Sequence, residues 1–211
     1  VPLFYQQDIN LATRLAVWKI EEAEAFFLQS VSLQRNITHP HKRLQHLAGR
    51  YLLPFLFPDF PHEEIEIADT RKPFLPDEQY HFSISHCGGY AAAIVSSTER
   101  VGIDIEMITP RVDKIKHKFL HVDELSFVDS FPASQQVDLL TLLWSAKEAM
   151  FKWWGRGDVD FSEAMRTFPF VMQEKGMIDG MFAKEEMNAL LQLHFELRKD
   201  LSLVWLHTPV E

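Results

Sequence analysis

Residues 99–109 read ERVGIDIEMIT, and the reading of its central GIDIE decides the fold of the chain. Val101, Ile103 and Ile105 alternate with Asp104 and Glu106, the period of a β-strand, so the apolar residues share one face and the two acids the other. Two carboxylates held side by side repel unless a metal ion, a basic side chain or a shared proton sits between them. The competing reading is an edge strand whose acidic face keeps it in water.

The chain around this strand has 211 residues, 46% of them hydrophobic and 12% aromatic, enough to fill a sizeable core. Its 21 basic and 30 acidic residues leave a formal charge of −9, which argues against a nucleic-acid partner, because phosphate backbones call for a broad basic surface. Cys87 is the single cysteine, so neither a disulfide framework nor a zinc thiolate cluster is available, and none of the ten histidines falls in an HExxH spacing. No apolar run reaches membrane-spanning length and the opening VPLFYQQDIN is not leader-like, so the expectation is a soluble cytoplasmic protein without a membrane partner.

Periodicity predicts an amphipathic helix within residues 11–30, from Leu15, Trp18, Ala25 and Phe26, and a second in HKRLQHLAGRYLLPFLF, residues 41–57. IEI at 65–67 reads as a short strand and RKPFLPDE as a proline-bearing loop. YHFSIS and YAAAIVSS read as strands joined by HCGG, with GIDIE a third strand close behind. After it, 110–131 is charged and helix-prone, 134–154 is a long helix ending at Gly155 and Gly157, and TFPFVM, LLQLHFEL and LSLVWLH read as strands. Helices followed by strands in each half predict an α+β fold of two similar halves, 1–98 and 99–211.

The long helix carries a second constellation. In LLWSAKEAMFKWWGRGD, Glu148 and Lys152 stand at i, i+4 with Ser145 and Thr141 on the same face, and most of the remaining circumference is apolar. An ordinary exposed ion pair is one reading; tryptophans and a phenylalanine beside it point instead to a partly buried site. Packed against GIDIE, this helix would let Asp104, Glu106 and Glu148 offer three oxygen ligands to a hard divalent cation such as magnesium, which favours a substrate bearing phosphate or pyrophosphate. Neither a GxxxxGK nucleotide loop nor a GxGxxG fingerprint occurs, so the phosphate grip is sought in Arg43, Arg50, Arg71, Lys72, Ser85 and His86.

Taken together, RKPFLPDEQYHFSISHCGGYAAAIV, VGIDIE and WSAKEAMFK resemble the Sfp-type 4′-phosphopantetheinyl transferases. The hallmarks of that family are a GKP-like loop, an FNISHS-like strand end, a GIDIE strand and a WxxKExxxK helix. AGRYLL resembles the family's arginine-bearing helix in the first half, and the motifs span about residues 43–152. The resemblance implies two α+β halves related by a pseudo-twofold axis, with coenzyme A as substrate in the cleft between them. It implies transfer of phosphopantetheine to a serine of an apo acyl or peptidyl carrier protein, with release of adenosine 3′,5′-bisphosphate.

Asp104, Glu106 and Glu148 match the family's magnesium ligands, with manganese an alternative ion. Glu148 and Lys152 match its catalytic groups. Arg43, Arg50, Arg71, Lys72, Ser85, His86, Asp104 and Lys152 match coenzyme A contacts. Arg71 replaces the glycine of GKP, which puts the loop geometry in question; Ser83 and Cys87 replace an asparagine and a serine. PRVDKIKHK supplies Arg111, Lys114, Lys116 and Lys118, and with Met107 and Phe119 it is the expected dock for an acidic carrier, a solvated helix face being the other reading. A chain with two halves contains its own cleft, which predicts a monomer. The rival functions are a non-catalytic coenzyme A and carrier-binding module and a magnesium-dependent phosphohydrolase.

Overall fold

Apolar helix stripes and alternating strands sort, in a computed structural model that describes residues 2–33 and 36–210, into a mixed α+β fold of two compact units. One unit comprises Val1–Val101 with Pro209–Glu211, the other Gly102–Thr208.

In the first unit, β1 (Leu3–Asp8) and β2 (Thr13–Lys19) precede the short α1 (Glu24–Phe27) and the long α2 (Pro40–Leu56). Pro40 opens α2, where its missing N–H costs nothing, and Pro54 falls in the last turn. A two-stranded ribbon follows, β3 (Glu66–Ile67) with β4 (Pro73–Phe74), then the hairpin of β5 (His81–Cys87) and β6 (Tyr90–Ser96). The four longer strands form an antiparallel sheet in the order β1-β2-β6-β5, and α2 lies on β2, β5 and β6. Leu47, Leu52, Leu53 and Leu56 of α2 pack there on Phe82, Ala91, Ala93 and Val95.

β7 (Glu99–Met107) leads into the second unit, where a 3₁₀ segment, Pro110–Lys118, precedes α3 (Val122–Asp129), α4 (Ala133–Trp154) and α5 (Phe161–Ala164). β8 (Met165–Thr167), β9 (Lys175–Lys184), β10 (Met187–Arg198) and β11 (Leu201–Pro209) complete the chain. The sheet order is β7-β11-β10-β9-β8. Helix α4 packs Leu142, Ala146, Ala149, Met150 and Trp153 against Ile178, Phe182, Leu193 and Val204. Gly155 ends it in the left-handed conformation, φ 72°, which glycine adopts without strain.

The expected helix over 11–30 is corrected: only Glu24–Phe27 is helical. Leu15, Ala16, Val17 and Trp18 form an unbroken buried run because β2 is an interior strand, and such a run satisfies helical and strand spacing alike. TFPFVM is strand only at Thr167, since Pro169 cannot continue a ladder. GIDIE forms a strand as expected and lies in the sheet of β11. Among the described residues, no helix is long and apolar enough to cross a membrane.

Candidate active site

Strand alternation puts Gly102, Asp104 and Glu106 on one face of β7, and that face meets α4. At Gly102 a methyl group would run into the carbonyl oxygen of Ala149 and lie 2.9 Å from Cβ of Trp153. Absence of a side chain there lets strand and helix approach, and two residues on, Asp104 reaches Lys152: Nζ donates to Oδ1 at 2.6 Å. Two further on, Glu106 accepts from Nε1 of Trp144 at 3.2 Å. Asp104 is only 2% exposed, so the solvent-washed acidic edge is ruled out.

The three acids feel one another. Burial, and next the charge of Asp104, push the Glu106 carboxyl up to about 7 against the pull of Trp144 and Lys152. Glu148 is likewise pushed up to about 7, by burial first, then Asp104, with Lys152 opposing and Glu106 adding. Lys152 forms an ion pair with Asp104, across from it on the strand, at 2.6 Å. Among the described residues no three His, Cys, Asp or Glu side chains stand close enough to hold a metal ion as they are. The acids thus form a charge cluster, not a finished ligand cage. Their chemistry nevertheless fits a hard divalent cation: all donors are carboxylate oxygens, and two of the three resist ionisation because they are buried beside the charge of Asp104.

The cationic candidates of the first unit divide. Lys72 is half-buried, and burial followed by Arg100 depresses it to about 8. His81 is held below its ordinary value by burial foremost, with Lys72 and Arg100 in the same direction and Glu78 opposing. Lys72 and Arg100 are thus neighbouring cations, with His81 beside them favoured in its neutral form. Arg100 and His81 were not among the expected contacts; only their position next to GIDIE and at the start of β5 could have marked them.

Arg71 is exposed and takes φ 67°, so the loop keeps the left-handed turn that suits glycine even though arginine occupies it. Ser85 is buried and His86 exposed, the two side chains pointing to opposite faces of β5. Arg43 is engaged by Glu24, Nε and Nη2 both donating to Oε2 at 2.8 Å, and Arg50 is buried in α2.

In the expected docking segment, Arg111 and Lys114 are exposed and Met107 is half-buried. Phe119 is corrected: it is 1% exposed, edge-on to Trp144 at 5.1 Å, and faces the core. Sequence reading gave no role to Glu124, nor to Trp144 and Lys147, although these two stand in the WxxKExxxK stretch. Lys147 lies on the Ala146–Ala149 side of α4 and forms a buried ion pair with Glu124 at 2.6 Å. Burial lowers the Lys147 pKa, with Glu124 pulling it back. Removing one member of such a pair costs about 3–5 kcal/mol.

The family profile of the 4′-phosphopantetheinyl transferase superfamily matches residues 100–177, which include every acid of the cluster. Over 114 residues the chain is 32% identical to 4′-phosphopantetheinyl transferase AcpT of Escherichia coli K12, covering 53% of this chain and 57% of that one. It is 32% identical over 137 residues to 4′-phosphopantetheinyl transferase psf-1 of Bacillus pumilus, 64% and 57% of the two chains. With Enterobactin synthase component D of Salmonella typhi the identity is 32% over 118 residues, 53% and 47%. The chain spans about half the length of these curated relatives. Residues 100–177 thus match the 4′-phosphopantetheinyl transferase superfamily, and three of the matched relatives are named 4′-phosphopantetheinyl transferases.

Proposed function

We propose that this protein transfers the 4′-phosphopantetheine arm of coenzyme A to a serine of an apo acyl or peptidyl carrier protein, releasing adenosine 3′,5′-bisphosphate. The observation that carries this is the meeting of Asp104, Glu106, Glu148 and Lys152 where β7 crosses α4, in a chain whose residues 100–177 match this superfamily. Asp104, Glu106 and Glu148 would hold magnesium, which when bound neutralises charge on the pyrophosphate.

Glu148, whose carboxyl rests near neutrality, takes the proton of the carrier serine as that oxygen attacks phosphorus. Lys152 offers its ammonium to the charge that builds on the phosphate or the leaving group. In the first unit, Lys72 with Arg100 and His81, joined by Ser85 and His86, supplies cationic and hydrogen-bonding groups for coenzyme A phosphates, and a bound phosphate would hold Lys72 protonated. Arg43 is left to its pairing with Glu24. Met107, Arg111 and Lys114 are the carrier-facing surface in this reading.

The test is intact-mass spectrometry of an apo carrier panel incubated with the protein, coenzyme A and magnesium, beside a chelator control and Glu148→Gln. A gain of one phosphopantetheine is expected, lost with chelator and reduced about a thousandfold in rate in the variant. Unmodified carriers across the panel, with or without coenzyme A breakdown, would overturn the proposal.

A further inference from the structure

Lys147 is the single fully buried lysine among the described residues, and it stands next to the proposed base. Its Nζ faces four acceptors: Phe119 O at 2.5 Å, Glu124 Oε2 at 2.6 Å, Met165 O at 2.9 Å and Phe161 O at 3.1 Å. They come from the chain before α3, from α3 itself, from α5 and from β8. Glu124 is as tightly held. Oε1 accepts from the amide and hydroxyl of Thr167 at 2.8 and 2.7 Å, and Oε2 accepts from the amide of His121 at 2.7 Å.

An α-helix turns about 100° per residue. Trp144, Glu148 and Lys152 therefore follow one another around α4 in steps of about 40°, all toward β7, while Lys147 projects about 100° away from Glu148. An apolar pair of similar volume would fill the space around Lys147 with little loss of stability. What it would not supply is direction: an ammonium with three donors caged by acceptors from several elements allows its helix one rotation.

We infer that Lys147 and Glu124 are positioning residues, a side-chain clamp that fixes the rotation of α4 and thereby aims Trp144, Glu148 and Lys152 at the acids of β7. The clamp acts through α4 and touches no reacting atom. Its effect on turnover rests on the transfer function proposed above; its effect on geometry does not.

The experiment uses the full chain with Glu124→Gln and Lys147→Met combined, so that neither charge is left buried alone, and Thr167→Val as a milder variant that removes one hydrogen bond to Glu124. Melting temperature, the Trp144 indole N–H resonance (identified with Trp144→Phe) and carrier-transfer kinetics are measured for each. The double variant should stay folded, shift or split the Trp144 resonance, and lower kcat about ten- to a hundredfold with KM for coenzyme A unchanged. Thr167→Val should move both in the same direction, with kcat down about two- to fivefold.

A folded double variant with the wild-type resonance and wild-type kcat would overturn the clamp. Should the double variant not fold, an unchanged resonance in Thr167→Val would overturn it instead. If the unaltered protein transfers nothing to any carrier, the proposed function fails, and the Trp144 resonance alone still decides the clamp.

Discussion

Each unit sets one long helix against a sheet and each makes the approach at a glycine, but on opposite partners. In the first, Gly49 is on the helix, and a methyl group there would meet Cγ2 of Ile84, a movable side-chain tip, at 2.6 Å. In the second, Gly102 is on the strand, and the obstacle is the backbone carbonyl of Ala149. The charges differ in the same sense. In the first unit burial and the neighbouring Arg100 lower the Lys72 pKa, whereas in the second burial and the neighbouring Asp104 raise those of Glu106 and Glu148. The unit that brings three acids together is the one whose glycine has no room to give.

The sharpest way to break this comparison is to fill both glycines. Gly102→Ala should cost about 3 kcal/mol or more, since a backbone obstacle has to shift, and should take transfer activity with it. Gly49→Ala should cost only about 0–1 kcal/mol, because Ile84 can move and alanine is the better helix former by about 1 kcal/mol. Urea unfolding of both checks this; equal losses would erase the distinction.

The pH dependence of stability should then separate the units by sign. Glu148 has its pKa raised on folding, so the native chain binds more protons between 4.5 and about 7 and loses stability as pH rises through that window. Glu148→Gln should therefore gain melting temperature over wild type at pH 8 and lose the gain by pH 4.5. Lys72 has its pKa lowered on folding, so stability is lost as pH falls from 10.5 to about 8. Lys72→Met should gain at pH 7 and lose the gain near pH 10.5. Parallel profiles for the two variants would contradict the opposite shifts of Glu148 and Lys72.

The smallest effect expected is at Arg71. Relieving φ 67° by Arg71→Gly should stabilise the loop by about 0.5–1 kcal/mol, a rise of about 1–3 °C in melting temperature. No rise would mean that the arginine side chain offsets the strain of its backbone.

How much of this was readable beforehand depended on where the deciding contact lay. The alternation in GIDIE and the period of 134–154 are local, and both elements formed where expected. Whether the acidic face of GIDIE met water or a helix was not local: Asp104 is buried because Gly102 admits α4, a contact across 47 residues of chain between Gly102 and Ala149. The pairing of Lys147 was illegible for a related reason, since its partner Glu124 lies 23 residues away in a stretch read only as charged and helix-prone. Strand β9, interrupted by Gly176 and Gly180, gave too weak an alternation to find; Leu193 and Phe195 of β10 fill the space over those glycines. Arg43 looked like a phosphate ligand because Glu24, its partner, sat in a stretch misread as one continuous helix.

Lys147 and Glu148, adjacent in sequence, have destinations that cannot be exchanged: a cage of carbonyls for the cation, a cluster of acids for the carboxylate. One residue inserted in α4 before position 147 would turn the remainder of the helix by about 100° and carry Lys147 into the place of Glu148; one residue deleted would carry Glu148 into the place of Lys147. Length changes should therefore be tolerated in the exposed stretch around Ser130 or beyond Gly155, and rejected within the helix between them.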